Sequence, residues 1–250
     1  MLKKKKYNTT DNTWHKVADD KNVWIKWRFN IIKELFLKSK IDLNKNFVCA
    51  DIGAGKGNFS NRMESISNFS VDQFDIEKRN KKKFLRGKYY VHDIKIKNKK
   101  FKNKYDIIFL LDVLEHIQND SSFIRDCKFY LKKNGFLILN VPSIPSLFSK
   151  YDHAVGHIRR YNTETLSKVM DKNKLKIVRM YYWGFLLVPL LFIRTTILTL
   201  FEQDKKSIIK RGMETSNIIV KKILEILFFL DFYIIKFRFF GSSIIALVKK

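Results

Sequence analysis

The chain of 250 residues has only two cysteines, Cys49 and Cys127, and they do not form a CxxC pair. A disulfide framework needs several cysteines, and a structural zinc site needs ligands at short, regular spacings. The sequence therefore predicts neither kind of site and indicates a protein of a reducing compartment. No metal ligand set is expected from the spacing of its residues.

Long apolar runs are also missing. Residues 3–6 form a basic start, but the chain is then polar up to Asp20, whereas a signal peptide continues with about 7–15 apolar residues. Residues 183–193 are apolar, yet Arg194 interrupts them well before the ~20 residues that cross a bilayer. We therefore expect a cytoplasmic protein, and peripheral contact with the inner face of the membrane stays open.

Acidic residues are few. The 50 Lys and Arg residues outnumber the 24 Asp and Glu residues and give a net charge of +26, and residues 78–104 hold thirteen basic residues with Asp93 as their one acid. Such a charge favours a polyanionic neighbour, either nucleic acid or an anionic membrane surface. A compositional bias toward lysine would produce the same charge without a partner.

The hydrophobic pattern predicts an α/β fold. Apolar residues recur at three- and four-residue steps over residues 23–38, which predicts an amphipathic helix. Short apolar runs bounded by polar residues, glycine or proline alternate with helix-length segments, which is typical of a mostly parallel sheet. The predicted strands are residues 47–52, 70–74, 88–91, 105–111, 136–141, 175–182 and 242–248, and a helix capped by Thr163 precedes the sixth.

A glycine-rich turn follows the first strand directly. Residues 51–57 read DIGAGKG, and alternate glycines allow a tight turn and a close approach of a ligand to the backbone. The dinucleotide fingerprint is GxGxxG, and Asn58 stands where its third glycine would be, which disfavours a dehydrogenase. Asp75 ends the second strand, where a carboxylate can accept hydrogen bonds from ribose hydroxyls, and Asp93 ends the third.

Four segments together, ADIGAGKG, FDIEK, HDI and YDIIFLLDVLEHI, resemble the class I S-adenosylmethionine-dependent methyltransferases. The resemblance implies a Rossmann-like sheet of seven strands with an antiparallel last strand, and it implies that S-adenosyl-L-methionine, the methyl donor, binds at the carboxyl ends of the first four strands. Asp75 would hold the ribose. The other implied donor-binding residues are Asp51, Gly53, Gly55 and Gly57 at the methionine part, Ile76, Asp93 and Ile94 at the adenine, and Leu111 and Asp112 at the pocket floor.

Two flanking segments are similar to a narrower bacterial subgroup associated with glycan and envelope biosynthesis. They are WIKWR at residues 24–28 and DHAVGHIRRY at residues 152–161, which contains a GHxRRY pattern. The likeness implies a small or lipid-linked, glycan-type acceptor. Trp24, Trp27 and Arg28 would form a lid over the donor, or the tryptophans would simply pack in the core.

Methyl transfer to an alcohol requires a group that takes the proton, since the donor itself supplies the leaving group. His116 follows the fourth strand and is the first candidate base, and His157 is the second. Arg159, Arg160 and Tyr161 suit an anionic group on the acceptor, because guanidinium groups bind phosphate and carboxylate bidentately. The alternatives are an orienting histidine and a loop-anchoring set of ion pairs with Asp152.

The sequence divides into an N-terminal helical lid (1–44), a donor-binding domain (45–184), an apolar helical insertion (185–240) and the final strand (241–250). The insertion would lie in a membrane interface or cap the substrate cleft. The predicted function is O-methylation. An RNA or DNA methyltransferase is an alternative, although residues 111–114 lack the Asn/Asp-Pro-Pro-aromatic turn of the amino-methylating enzymes. A non-catalytic, membrane-associated binding module is the other.

Overall fold

The computed structural model describes residues 22–77, 86–201, 204–213 and 218–250. Predictions that concern residues 1–21, and the part of the basic run at 78–85, lie outside the described residues. Within them the chain forms one sheet with the order β3-β2-β1-β4-β5-β7-β6. The strands are β1 Val48–Ile52, β2 Ser70–Asp75, β3 Tyr89–Val91, β4 Tyr105–Leu111, β5 Leu131–Pro142, β6 Lys176–Trp183 and β7 Ser243–Lys249.

The direction of the strands confirms the predicted class. β1 to β5 pair in parallel, and β7 is antiparallel to both of its neighbours, β5 and β6. The sheet is therefore mostly parallel with an antiparallel last strand, in the α/β arrangement that the sequence predicts. In such a sheet the carboxyl ends of β1, β2, β3 and β4 meet at one edge, where ligands bind.

Helices cover both faces of the sheet. Helix α1, Val23–Lys38, begins at Asn22, whose side chain accepts hydrogen bonds from two backbone N–H groups of the first turn. Its apolar stripe, including Ile32, Leu35 and Phe36, is buried in one core with residues of β1, β4 and β7. The other core lies on the opposite face, under α3, Asp120–Tyr130, and α5, Thr163–Lys172.

Two shorter helices complete this part of the chain. The glycine turn leads into α2, Asn58–Ile66, and α4 spans Lys150–Val155.

Two local predictions need correction. Asn162, and not Thr163, caps α5: its side chain accepts the Thr165 N–H at 2.7 Å, and the Thr165 hydroxyl accepts the Asn162 N–H at 3.0 Å. The amide oxygen of Asn162 precedes the helix and so reaches the third N–H group. The fifth strand is longer than predicted, because it begins at Leu131, directly after α3, and passes through the polar residues 132–134.

The predicted insertion between β6 and β7 is helical. It begins with a 3₁₀ turn at Phe185–Leu187 and continues with α6 (Val188–Phe201), α7 (Lys205–Met213), α8 (Ile218–Phe229) and a π-helical turn at Leu230–Ile235. Among the described residues, no helix is long and apolar enough to cross a membrane.

Helix α8 packs against α1. The Trp27 ring stacks on Phe228 with centroids 5.7 Å apart, and the Trp27 indole N–H donates to Glu225 at 3.1 Å. Trp24 stacks on Trp183 of β6 at 4.4 Å. The tryptophans of α1 therefore join the insertion to the sheet, which supports the core-packing interpretation of these residues.

Candidate active site

The glycine turn after β1 adopts backbone angles that favour glycine. Gly53, Gly55 and Gly57 have φ values of 75°, 55° and 72°, in the left-handed region. The N–H of Gly53 donates to the Phe74 carbonyl of β2 at 2.8 Å. A Cβ atom at Gly53 would lie 2.7 Å from a methyl group of Val113, so a larger residue could not occupy this position without displacing that side chain.

Asp51 stands at the entrance to this turn and is buried. Its carboxylate accepts a hydrogen bond from the Ser60 hydroxyl at 2.6 Å. Burial raises the pKa of Asp51 to about 6, against the lowering effects of Ser60 and Arg28. This pKa lies close to neutral pH, so both forms of the carboxyl group are accessible. A positively charged group of a ligand would favour the ionised form.

Asp75 lies beside this turn, at the carboxyl end of β2. Its two carboxylate oxygens accept the Gly55 N–H at 3.0 Å and the Glu77 N–H at 3.3 Å. A carboxylate at this position can accept hydrogen bonds from the hydroxyl groups of a ligand. The next residue, Ile76, is exposed, so an apolar side chain stands beside a hydrogen-bonding carboxylate.

Of the two predicted donor residues after β3, Asp93 lies at the end of the sheet and Ile94 lies in the core. The Asp93 side chain accepts the Lys95 N–H at 3.0 Å and is half-buried. The Ile94 side chain belongs to the hydrophobic core, and its carbonyl accepts the Tyr130 hydroxyl at 3.2 Å. Asp93 is therefore the polar side chain that this segment offers at the strand ends.

The residues that the resemblance assigns to the pocket floor follow β4. Leu111 is buried, and Asp112 has a φ of 58° and accepts the Asn140 amide N–H at 2.5 Å. The Arg28 guanidinium of α1 also donates to Asp112. Arg28 thus reaches the turn after β4, while the lid that the sequence predicts for residues 1–44 stays a prediction, since residues 1–21 lie outside the described residues.

The two candidate bases lie side by side. The rings of His116 and His157 are 4.8 Å apart between centroids. His116 Nδ1 lies 3.0 Å from the Gly156 carbonyl, and His157 Nδ1 lies 2.8 Å from an Asp152 carboxylate oxygen. Since both partners accept hydrogen bonds, each Nδ1 donates a proton, and in a neutral ring the lone pair then lies on Nε2. The structure therefore brings together two residues that the sequence only proposed separately.

Sequence reasoning missed Glu115, which lies next to these histidines. Its side chain is fully buried, and neither carboxylate oxygen has a hydrogen-bond partner among the described residues. Burial and the nearby Asp112 charge raise the pKa of Glu115 well above its usual range. One carboxylate oxygen lies 3.7 Å from His157 Nε2. The sequence feature that could have indicated Glu115 is its position beside His116, in the triplet LEH after β4.

Glu115, His116 and His157 each offer one ligand atom, and these atoms lie within 4.8 Å of one another. The sequence predicts no metal site, and the fold brings together three side chains that could serve as ligands. The spacing of residues in the sequence could not show the set, because His157 comes from a separate loop after β5.

The GHxRRY segment anchors its own loop. Arg160 donates through two nitrogens to the two carboxylate oxygens of Asp152 at 2.9 Å each, and through the third to the Ser143 carbonyl at 3.1 Å. Burial would raise the pKa of Asp152, but His157 and Arg160 outweigh it and hold that pKa well below its usual range. Arg160 is buried, so the structure favours the loop-anchoring alternative over acceptor binding for this residue.

The neighbours of Arg160 are also engaged within the protein. Arg159 donates to Asp120 at 2.7 Å and to the Gln118 carbonyl at 2.8 Å. The Tyr161 hydroxyl is buried and donates to Asp120 at 3.1 Å. Of the three predicted acceptor-binding residues, only Arg159 keeps substantial exposure, with 30% of its side chain accessible.

The chain is similar to a curated protein named ubiquinone biosynthesis O-methyltransferase, from Pelagibacter ubique (strain HTCC1062). The two are 32% identical over 118 residues, which cover 44% of this chain and 48% of the relative. The chain therefore matches about half the length of this relative.

The fold is similar to solved methyltransferase structures. An S-adenosylmethionine-dependent methyltransferase from Archaeoglobus fulgidus aligns with a TM-score of 0.52 at 15% identity, over 90% of this chain and 96% of that chain. Phosphoethanolamine N-methyltransferase 2 from Haemonchus contortus, in complex with S-adenosyl-L-methionine, aligns with a TM-score of 0.57 at 17% identity, over 86% of this chain and 51% of that chain. At such identities the likeness shows the fold.

The family is shown by a model described as a methyltransferase domain, which matches residues 26–180. This match covers more than half of the chain and includes the glycine turn, the strand-end carboxylates and the loop that carries His157. The chain therefore belongs to the methyltransferase domain family, as a class I, S-adenosylmethionine-dependent member.

Proposed function

We propose that this protein transfers a methyl group from S-adenosyl-L-methionine to an oxygen atom of a small or lipid-linked acceptor. The observation that carries the proposal is the histidine pair His116 and His157, whose rings lie 4.8 Å apart after the fourth strand and after α4. An oxygen acceptor must lose its proton during transfer, and an imidazole lone pair can take it near neutral pH.

The residues at the strand ends fit the donor. When bound, S-adenosyl-L-methionine supplies the reactive methyl group and the sulfur leaving group. Asp51, whose pKa is about 6, would bind its ammonium group, and the lone pairs of Asp75 would bind the ribose hydroxyls. Ile76 would pack on the adenine, and Asp93 would lie at its edge. Gly53, Gly55 and Gly57 let the donor approach the backbone.

Oxygen is the preferred atom for two reasons. The curated relative is named an O-methyltransferase. In addition, the Nε2 lone pair of His116 would accept the proton that an acceptor hydroxyl loses. The glycan-type acceptor stays a prediction, since Arg160 and Tyr161 of the segment that suggested it are used inside the protein. Arg159 would be the cation that meets an anionic group of the acceptor.

A lipid-linked acceptor is supported by the exposed face of α8. Phe228 and Leu224 face α1 and the core, whereas Ile223, Ile226 and Phe229, at three-residue steps, are exposed. Lys222 and Lys236 are exposed nearby. Apolar side chains flanked by lysines are typical of a helix that lies in the interface of an anionic membrane. The insertion would thus cap the protein with one face and contact the cytoplasmic surface of a membrane with the other.

Vesicle flotation tests this contact. The protein should float with vesicles of phosphatidylglycerol and phosphatidylethanolamine, float less with phosphatidylcholine, and detach as salt screens the lysines. The double variant Ile223→Asp/Ile226→Asp should stay at the bottom of the gradient. Ile96→Asp is the matched control, because Ile96 and Ile226 are 57% and 58% exposed. Equal flotation of both variants, or none for the unaltered protein, would remove the membrane from the proposal.

Nucleic acid is disfavoured by the place of the basic run. Its described part, residues 86–104, lies around β3. This strand is at the edge of the sheet, and β2 and β1 separate it from β4. The histidine pair follows β4. Lys104 is paired with Asp72 at 2.5 Å, and Lys97 and Lys100 lie over aromatic rings. Steeply salt-dependent RNA binding would reverse this assignment.

Activity is tested with donor labelled in the methyl group. The purified protein is incubated with the aqueous and the lipid fraction of cells, and the labelled product is treated with base and acid to separate methyl ethers from methyl esters and amines. We expect label in the lipid fraction that resists base hydrolysis and does not partition into acid with amines, and that is strongly reduced with Asp75→Ala at donor concentrations below saturation. A protein that binds S-adenosylhomocysteine but labels neither fraction would contradict the proposal of an enzyme, and one that binds no donor would favour the binding-module alternative.

A further inference from the structure

We propose that Glu115, His116 and His157 bind a divalent first-row transition metal ion. The three ligand atoms come from the 3₁₀ turn after β4 and from the loop after α4, and they converge within 4.8 Å. A set of two imidazoles and one carboxylate with an open position is typical of catalytic zinc sites. Two nitrogen ligands favour such an ion over magnesium or calcium, which prefer oxygen.

The first argument is the orientation of the two imidazoles. His157 directs Nδ1 at the Asp152 carboxylate, and His116 directs Nδ1 at the Gly156 carbonyl. Metal-binding histidines nearly always donate their other ring N–H to a carboxylate or a backbone carbonyl, which fixes the ring and leaves the second nitrogen to the ion. Both histidines therefore have the outer contacts that a metal ligand needs.

The second argument is Glu115. A fully buried carboxylate whose two oxygens lack hydrogen-bond partners among the described residues is costly unless something compensates its charge. Its oxygen lies 3.7 Å from His157 Nε2, which is too long for a hydrogen bond. Two ligands about 2 Å from one tetrahedral ion lie roughly 3.3 Å apart, so a small adjustment would place an ion between these atoms.

The use of such an ion rests on the proposed function, whereas the binding of the ion does not. The ion would hold the hydroxyl oxygen of the acceptor and lower the pKa of that hydroxyl, so that the hydroxyl would lose its proton to water before its oxygen takes the methyl group. His116 would then be a ligand, and the lone pair assigned above to the acceptor proton would instead hold the ion.

Titration with Co²⁺ tests the site, because a nitrogen-rich site gives visible absorption bands. Protein that has been stripped with a chelator should bind one equivalent of Co²⁺, and Zn²⁺ should abolish the bands. Glu115→Gln, His116→Ala and His157→Ala should each weaken binding at least tenfold, and Asp152→Asn about 10- to 100-fold through the orientation of His157. His153→Ala is the control, since His153 is an exposed histidine of the neighbouring helix.

S-Adenosylhomocysteine binding is measured on the same samples. Retained affinity shows that a variant is folded, and it separates failure of the metal site from failure of the donor pocket. The proposal is overturned if the unaltered protein binds no stoichiometric Co²⁺, or if Co²⁺ binding is the same in His157→Ala and His153→Ala. If Glu115→Gln does not fold, the two histidine variants decide the question.

Discussion

The guanidinium of Arg28 pairs with the carboxylate of Asp112, so helix α1 is tied to the turn that follows β4. The side chains are only 9% and 19% exposed. Burial raises the pKa values of Asp51 and Glu115, and the charge of Arg28 acts against this rise at both carboxyl groups. One buried cation from α1 thus favours the ionised form of two buried carboxyl groups.

Donor affinity should depend on pH through Asp51. The folded pKa of about 6 means that the carboxylate becomes protonated below pH 6, and a neutral side chain no longer attracts the ammonium group of the donor. Calorimetric affinity for S-adenosylhomocysteine should therefore rise between pH 5 and 7 and level off above. Asp51→Asn should flatten this profile. Arg28→Met should move the midpoint upward, because a cation that lowers the pKa is lost; a midpoint that stays in place would contradict this role of Arg28.

Asp75→Ala should weaken donor binding by roughly 1.5–3 kcal/mol, or about ten- to a hundredfold, since it removes charge-assisted hydrogen bonds to the ribose. Calorimetry with S-adenosylhomocysteine measures the change. Asp171→Ala, at an exposed position near the end of α5, is the control. Unchanged affinity in a folded Asp75→Ala protein would show that the ribose site has been placed wrongly.

His116→Ala should lower the rate of methyl transfer by about 10²–10⁴ while donor affinity is retained, since it removes the group that takes the acceptor proton or, with the proposed ion bound, one ligand of that ion. Single-turnover label transfer measures the rate, and His153→Ala serves as the surface control. If His116→Ala turns over almost normally, the proton-accepting role passes to His157.

Asp152→Asn should lower the free energy of unfolding by about 3–5 kcal/mol, because it leaves the buried Arg160 charge without its partner. Urea unfolding at pH 7 measures this. The pKa of Asp152 is depressed in the fold, so its stabilising effect is present above the unfolded value of about 3.9 and is lost as the pH falls below that value. The difference between the proteins should shrink toward pH 3. Glu164→Gln, which breaks the exposed pair with Lys168, should change stability little at either pH.

Phe228→Ala should destabilise the protein by about 3–5 kcal/mol, as expected for a large ring removed from a core. Phe228 is buried against Trp27, whereas its neighbour Phe229 is half exposed. Phe229→Ala should therefore have only a small effect on thermal or urea unfolding. Equal effects of the two substitutions would mean that α8 does not dock on α1 in this orientation.

The positions of the proposed donor residues could be predicted from the sequence because their signals are local. Gly53 and Gly55 lie in one turn, Asp75 ends β2, and Asp93 follows β3 after His92. Parallel strands bring such ends to one edge of the sheet. The helix Val23–Lys38 and the strand Tyr105–Leu111 have the bounds that their periodicity predicts. The cap of α5 was assigned one residue late, since Asn162 and Thr163 are both good capping residues.

The roles of the charged residues after β4 and α4 could not be read from the sequence and depend on the tertiary structure. Arg160 has the same sequence signature whether it binds a substrate anion or Asp152, and only the fold shows that it is buried against Asp152. Glu115 lies in a turn and His157 in a separate loop, so only the fold brings them together. The raised pKa of Glu115 depends on burial, which no sequence pattern reports. The sequence by itself therefore determined the sheet, and the donor-binding residues that it suggests stay a prediction. The packing of α1, the loop after α4 and the insertion decided which charges meet, because burial and distance between remote segments exist only in the folded chain.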